Sequence, residues 1–379
     1  MKCLHEITAM ALLCQIKYNL KTARALKIIN TPMKSRIILL LVALCSSMLL
    51  FSQCSTKPAV NLQVNEAEKK VNVMVDGKLF TSYIYPSVIK KPVLWPVISP
   101  AGNMLTRSFP MVNKEGDRSD HPHQVGVWLN YGNVNGLDFW NNSEAIAPEK
   151  RDGYGTIYHQ SVEKAESGKG NALLVTTSVW KSPDQTEMLE EQTSFHFIAL
   201  GKARIIDRTT TLKAVIDEVK FTDNKEGMFA IRVARELELP SEKPTSLVDS
   251  HGNVTKVEKM DNTFVKGNYR SAEGVEGKEV WGTRCRWMKL SSEIKGEPVA
   301  IVIIDHPSNV GYPTYWHARD YGLFAANTLG QKIFSEGKNE LNFSLKKDES
   351  VTFKYRLVVA AENLSDDQIN KLADEYAKL

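Results

Sequence analysis

The chain has 379 residues, with 48 Lys or Arg against 44 Asp or Glu and a formal net charge of +4. That excess lies entirely in the first 54 residues, which hold seven basic residues and one acid, so the remainder carries 41 basic and 43 acidic residues and a formal charge of −2. A domain without a basic surplus offers no case for nucleic-acid binding. About 320 residues are ample for one core.

Residues 1–54 are expected to be a leader and signal peptide. Lys34 and Arg36 precede the apolar run Ile37 to Phe51, which is short for a membrane span and suited to a signal core. Met33 is a natural start for such a signal. Cys54 stands where an exported lipoprotein would carry its lipid. Of five cysteines only Cys54 and Cys285 then remain, and lipidation of Cys54 would leave no disulfide.

Beyond the leader the dominant period is two. "KVNVMVDGKLFTSYIY" from Lys70 predicts a hairpin turning at Asp76-Gly77. Further strands are predicted from Ala172, Thr193, Ala203, Met228 ("MFAIRVARELEL"), Val299 and Val351. Ala300 to Ile304 is apolar at both parities, as in a strand covered on both faces. Ser241 to Gly282, rich in Lys, Glu and Gly, reads as a surface excursion. Only the C-terminus is helical in pattern, with Ser365 and Gln368 as a capping box and Ile369, Leu372 and Tyr376 on one face. The fold class is therefore all-β, a large antiparallel β-sandwich in one domain over residues 60–379 with a short C-terminal helix.

Chemistry concentrates in a few segments. "SDHPHQVGVWLNYGNVNGLDFW" from Ser119 packs two histidines, two tryptophans and two aspartates between glycines. His159, His306 and His317 lie in comparable surroundings. On extended backbone His317, Arg319 and Tyr321 would share a face and Trp316 take the other. Acid/base roles are assigned to His121, His123, His306 and His317, with Glu226 or Asp305 as partner. Trp128, Trp140 and Trp316 would stack on a sugar ring, and Arg232, Arg319, Tyr321 and Asn327 would bind its hydroxyls. His121, His123 and His159 could hold a divalent metal; no HExxH spacing appears, and no cofactor is certain. The site segments hold more His than Glu, which disfavours a paired-carboxylate glycosidase.

The stretches "DHPHQVGVWLNYGNVNGLDFW", "GTIYHQ", "TDNKEGMFAIRVA", "IDHPSN" and "PTYWHARDYGLFAAN" resemble the PmoA-like bacterial family, often labelled methane oxygenase. Gln124 departs from the family's common residue at its position. The resemblance extends to galactose-mutarotase-like proteins, and it implies a β-supersandwich and a carbohydrate partner. Residues 55–379 contain no apolar run near the roughly 20 residues that cross a bilayer, which sets membrane methane chemistry aside. The expected function is a periplasmic or cell-envelope carbohydrate-active enzyme that cleaves or rearranges a glycoside. The alternatives are a mutarotase-type epimerase and a non-catalytic carbohydrate-binding lipoprotein, with the membrane met only through a lipid at Cys54.

Overall fold

Val71, Val73 and Val75 alternate with Asn72 and Met74, so the strand Lys70–Val75 buries one face. Its hairpin to Lys78–Ile84 turns at Asp76 and Gly77, whose φ angles of 49° and 76° are the left-handed pair that a tight Asp-Gly hairpin uses. In the computed structural model, which describes residues 57–379, this hairpin belongs to a nine-stranded antiparallel sheet. The leader, its export signal and Cys54 lie outside the described residues.

The first sheet runs in space Tyr315–Ala318, Leu323–Asn327, Phe229–Arg232, Val127–Leu129, Val93–Val97, Lys78–Ile84, Lys70–Val75, Ala59–Asn65 and Gly168–Lys169. An eight-stranded antiparallel sheet faces it, in the order Asn268–Ser271, Trp287–Ile294, Glu297–Asp305, Ser350–Ala360, Ala203–Ala214, Glu187–Leu200, Asn171–Lys181 and Thr156–Glu166. This is the expected large all-β sandwich. The main core lies between the sheets: Val73, Leu129, Ile231 and Phe324 meet Phe197, Ile206, Ile303 and Leu357. Phe229 of one sheet stacks on Tyr355 of the other with ring centroids 5.0 Å apart.

The second sheet is covered on its far side too. Along Glu297–Asp305, Val299, Ile301 and Ile303 point into the main core, while Ala300, Val302 and Ile304 pack under the helix Asp366–Tyr376. That helix has the expected capping box and presents Ile369, Ala373 and Tyr376 to the sheet. Burying side chains such as Ile369 contributes about 1.5–3 kcal/mol each. The first sheet's far side carries Trp128, Ala230, Leu323 and Ala325, and here loops rather than a helix form the cover.

Two sequence expectations need correction. The run from Met228 is a strand only over Phe229–Arg232 and then tightens into the short helix Arg235–Leu237, because Leu237 and Val233 must reach the core. The segment 241–282 is not simply a surface excursion. It supplies a small hairpin, Thr245–Val248 with Val254–Val257, and then the edge strand Asn268–Ser271, whose Tyr269 is buried.

Candidate functional site

The loop crossing the far side of the first sheet is tied down by two buried arginines. Arg107 donates from Nη1 to the carbonyls of Arg118 and Asp120 at 3.2 and 2.7 Å, and from Nη2 to those of His121 and Gln124 at 2.8 and 3.1 Å. Arg232, at the end of a central strand, donates to the Gln124 side-chain oxygen. Both guanidiniums also reach one oxygen of Asp120, at 2.9 Å from Arg107 and 2.7 Å from Arg232. Burial alone would raise the Asp120 pKa, but His121 and the two guanidiniums outweigh it and hold the carboxyl well below the usual carboxylate range. Burial, reinforced by Arg232, lowers Arg107 to about 9, so it stays charged at neutral pH.

This frame forces His121 into the left-handed region at φ 45°. A non-glycine residue there costs about 1–3 kcal/mol and persists only where its surroundings over-determine it. His121 Nδ1 sits 3.3 Å from Asp120 Oδ1 at an angle short of a hydrogen bond, and its side chain remains 40% exposed. The ring stacks on Tyr321 at 5.0 Å and meets His123 edge-on at 5.6 Å. His123 is buried, its Nε2 has no partner, and burial together with the nearby Lys91 keeps the imidazole neutral. Lys91 donates to the His123 carbonyl at 2.7 Å and lies 5.4 Å above Trp128. Burial pushes this ammonium down to about 7.

A third histidine comes from the edge strand Tyr315–Ala318. His317 Nδ1 donates to the Lys225 carbonyl at 3.0 Å. A carbonyl can only accept, so the ring proton is on Nδ1 and Nε2 is the free base. Burial, with Lys225 and Arg319 adding to it, lowers His317 to about 3. Glu226 Oε2 is 3.7 Å from Nδ1, and Lys225 pairs with the other Glu226 oxygen at 2.7 Å. The Asp223–Gly227 loop that carries Glu226 is clamped. Asp223 accepts from the backbone of Gln331, Lys332 and Leu341, and Gly132 donates to the Glu226 carbonyl at 2.7 Å. A Cβ at Gly132 would fall 2.7 Å from Glu226 Cβ, so only glycine permits this approach.

His121, His123, His317, Glu226, Arg232, Arg319 and Tyr321 thus gather at this end of the first sheet. The strand ends at Ala318, so a tight turn, closed by Gly322 N to the Arg319 carbonyl at 3.1 Å, unites His317 with Arg319 and Tyr321 rather than strand alternation. Tyr321 lies under the Arg232 guanidinium at 4.9 Å and the Arg319 guanidinium at 5.7 Å.

Other expected members sit elsewhere. His306 packs edge-on against Tyr376 of the C-terminal helix and bonds Ser308, which places it at the far side of the second sheet. Asp305, at the end of the strand Glu297–Asp305 but with the parity of Ile301 and Ile303, is buried beside Asn309 and Thr314, and burial raises it to about 7. Trp128, Trp140 and Trp316 are fully buried and cannot stack on a ligand. Trp128 and Trp140 pack together at 5.2 Å under the loop, while Trp316 lies in the main core with its indole N–H on the Cys285 carbonyl. Asn327 spends its amide on the Asn224 carbonyl and its oxygen on Gly330 N, so it braces the Glu226 loop. His159 is held by Tyr83 OH at 2.9 Å and the Tyr85 ring at 3.8 Å, apart from His121 and His123. The proposed three-imidazole metal set is therefore not assembled, and among the described residues no group of three or more His, Cys, Asp or Glu is placed to hold a metal ion.

Sequence reasoning missed Arg107, Lys91 and Asp120 as members of the cluster. Asp120 carried a signal, since it directly precedes His121. Arg107 and Lys91 carried none, because their partners lie 11–32 residues away in the chain.

Two clefts flank the cluster. One of about 570 Å³ is lined by Arg118, Asp120, Lys243, Arg319, Asp320 and Tyr321. The other, about 420 Å³, is mainly apolar, with Met111, Ile89 and Pro110 over Lys91 and His123.

The galactosidase domain of an α-galactosidase–sucrose kinase is similar at 10% identity and TM-score 0.40, covering 80% of this chain and 42% of that one. An α-galactosidase from Geobacillus stearothermophilus is similar at 10% identity and TM-score 0.37, with 80% of this chain and 41% of that one covered. A galactose mutarotase-like protein from Clostridium acetobutylicum is similar at 11% identity and TM-score 0.38, with 81% and 99% covered. This chain thus spans less than half the length of the two galactosidase structures. No curated protein matches it. Residues 70–374 match the model of a family of unknown function, DUF6807, and the chain belongs to that family.

Proposed function

We propose that this protein is an exported carbohydrate-active enzyme that rearranges or cleaves a sugar by histidine acid/base chemistry, with His317 as base and His121 as acid. One observation carries the reading. Two imidazoles gather at one end of the first sheet in opposite electrostatic settings, His317 held neutral with Nε2 free and His121 set beside the Asp120 carboxylate. Such a pair suits proton removal at one atom and delivery at another. His317 Nε2 takes a proton from a sugar C–H or O–H, and His121, beside the Asp120 carboxylate, gives one to the departing or ring oxygen.

Neither carboxylate is free to act as nucleophile, because Asp120 is shared by two guanidiniums and Glu226 is paired with Lys225. That disfavours double displacement through a glycosyl ester. The sugar itself is supported by the motif resemblance to the PmoA-like family, through its carbohydrate implication and not its methane label. The donors of Arg319, Tyr321 and His121 are also groups that suit ring hydroxyls. Export and a lipid at Cys54 rest on the leader's pattern, and incorporation of a palmitate analogue tests them.

The purified chain is incubated in D₂O with a panel of sugars and glycosides and followed by NMR. Proton exchange or turnover that disappears in His317→Ala and His121→Ala, with unchanged far-UV dichroism, is the expected result. Binding without exchange, equal in both variants, would overturn catalysis and leave the carbohydrate-binding reading.

A further inference from the structure

The charges around the 570 Å³ cleft pair off one by one and leave a single group over. Arg118 is matched by Glu238 at 2.7 Å, Lys243 by Asp320 at 2.8 Å, and Lys225 by Glu226 at 2.7 Å. Arg107 and Arg232 share Asp120, and Asp117 adds one more buried carboxylate near Arg107, already bonded to the backbone N–H groups of Ser108 and Phe109. Arg319 has no ion pair and no side-chain hydrogen bond among the described residues. Its guanidinium lies half-buried in the cleft wall at 5.7 Å from the Tyr321 ring centroid, next to the His121–Tyr321 stack.

An unpaired guanidinium on an aromatic face, in a cleft of positive surplus, is suited to an oxyanion: its parallel N–H groups match two oxygens of one carboxylate or sulfate. A concave wall also focuses the field and raises the local concentration of anions. We propose that the sugar taken by this site is acidic, a uronate or a sulfated sugar, with its oxyanion received by Arg319 beside Tyr321 and its ring directed at His121 and His317. The inference rests on the carbohydrate reading above and narrows it. It also gives the arginine a role in chemistry at the carbon next to a carboxylate, since a cation there stabilises the negative charge that grows when His317 removes a proton.

Titration calorimetry on the full chain compares glucuronate and galacturonate, galactose 6-sulfate, the neutral parents glucose and galactose, and malonate as a non-sugar dianion. At least tenfold tighter binding of an acidic sugar than of its neutral parent is expected, weakening with added salt. Which acidic arm binds tighter identifies the oxyanion. Arg319→Gln should bring acidic and neutral affinities to within about twofold, while Arg319→Lys keeps part of the preference because charge survives without the fork. Equal binding of acidic and neutral sugars by the native chain overturns the anion proposal and leaves the carbohydrate reading intact. Malonate binding that Arg319→Gln abolishes, with no sugar bound, overturns the carbohydrate reading and keeps the anion site. Binding of none of these ligands overturns both.

Discussion

Replacing Asp120 by Asn tests whether one carboxylate holds the site together. The side chain is 29% exposed, yet its Oδ1 accepts from Arg107 at 2.9 Å and Arg232 at 2.7 Å, and those guanidiniums are only 2% and 0% exposed. Removing one partner of a buried ion pair costs about 3–5 kcal/mol, chiefly through the charge left uncompensated. Asn keeps an acceptor oxygen, and the partial exposure of Asp120 lets water take up some of the loss. The expected destabilisation is therefore about 2–3 kcal/mol, read as a shift in urea midpoint at unchanged slope. The pH dependence has a defined sign. The folded Asp120 is held below the unfolded carboxyl value of about 3.9, so its contribution is fully present above that pH and fades as the pH falls toward the folded value. The gap between native and Asp120→Asn protein should be flat from about pH 5 upward and narrow below about pH 4. A gap under about 0.5 kcal/mol at pH 7, or one that widens in acid, would show that the two guanidiniums are balanced elsewhere.

The acid limb of any turnover that depends on His317 should fall far below pH 5, because burial holds that imidazole near 3; an inflection close to 6.5 would mean a solvated base. Trp128→Ala should cost about 3–5 kcal/mol of stability as a core truncation, and a variant that folds normally but loses sugar affinity would refute its burial. His306→Ala should leave turnover within about twofold, since its ring faces Tyr376 and not the cluster. Chelator should change neither sugar binding nor the thermal midpoint, as the described residues bring together no set of metal ligands.

What the sequence disclosed follows from the range of the forces involved. Alternation between sheet faces is local, so the hairpin at Asp76-Gly77, the doubly covered strand at Ala300 to Ile304 and the cap at Ser365 could all be read from neighbouring residues. Sheet membership is not local. "IDHPSN" ends a strand as expected, but that strand lies in the second sheet, whereas His121 and His317 stand on the first. Nothing within a few residues of His306 records which layer its strand joins. The tryptophans misled for a related reason. An indole under a polar loop and an indole lining a groove have the same sequence neighbours, and only the loop's path, fixed by Arg107 from 13 residues away, separates the two cases.

The density of "DHPHQVGVW" then has an explanation that no single function supplies. Asp120 joins two buried guanidiniums, Gln124 accepts from Arg232 on its side chain and from Arg107 on its carbonyl, and Trp128 floors the loop. Gly126, at φ 59°, lets the backbone pass where a Cβ would fall 2.2 Å from the Leu94 carbonyl oxygen. The result of that construction is His121, whose strained backbone and exposed ring could not persist on a loose loop. Most of the stretch is scaffold, and the scaffold is as polar as a site because it fastens a loop to a sheet with charges as well as apolar area. In this loop the directional bonds of Arg107 and Arg232 fix the geometry narrowly, at the cost of stability when any one partner is lost. A proton donor that must sit within about 3 Å of its target needs that narrowness. The same reasoning places the loss of function ahead of the loss of fold: Gln124→Ala removes one acceptor from Arg232, leaves Asp120 in place, and should impair turnover through a displaced His121 while the chain still unfolds cooperatively.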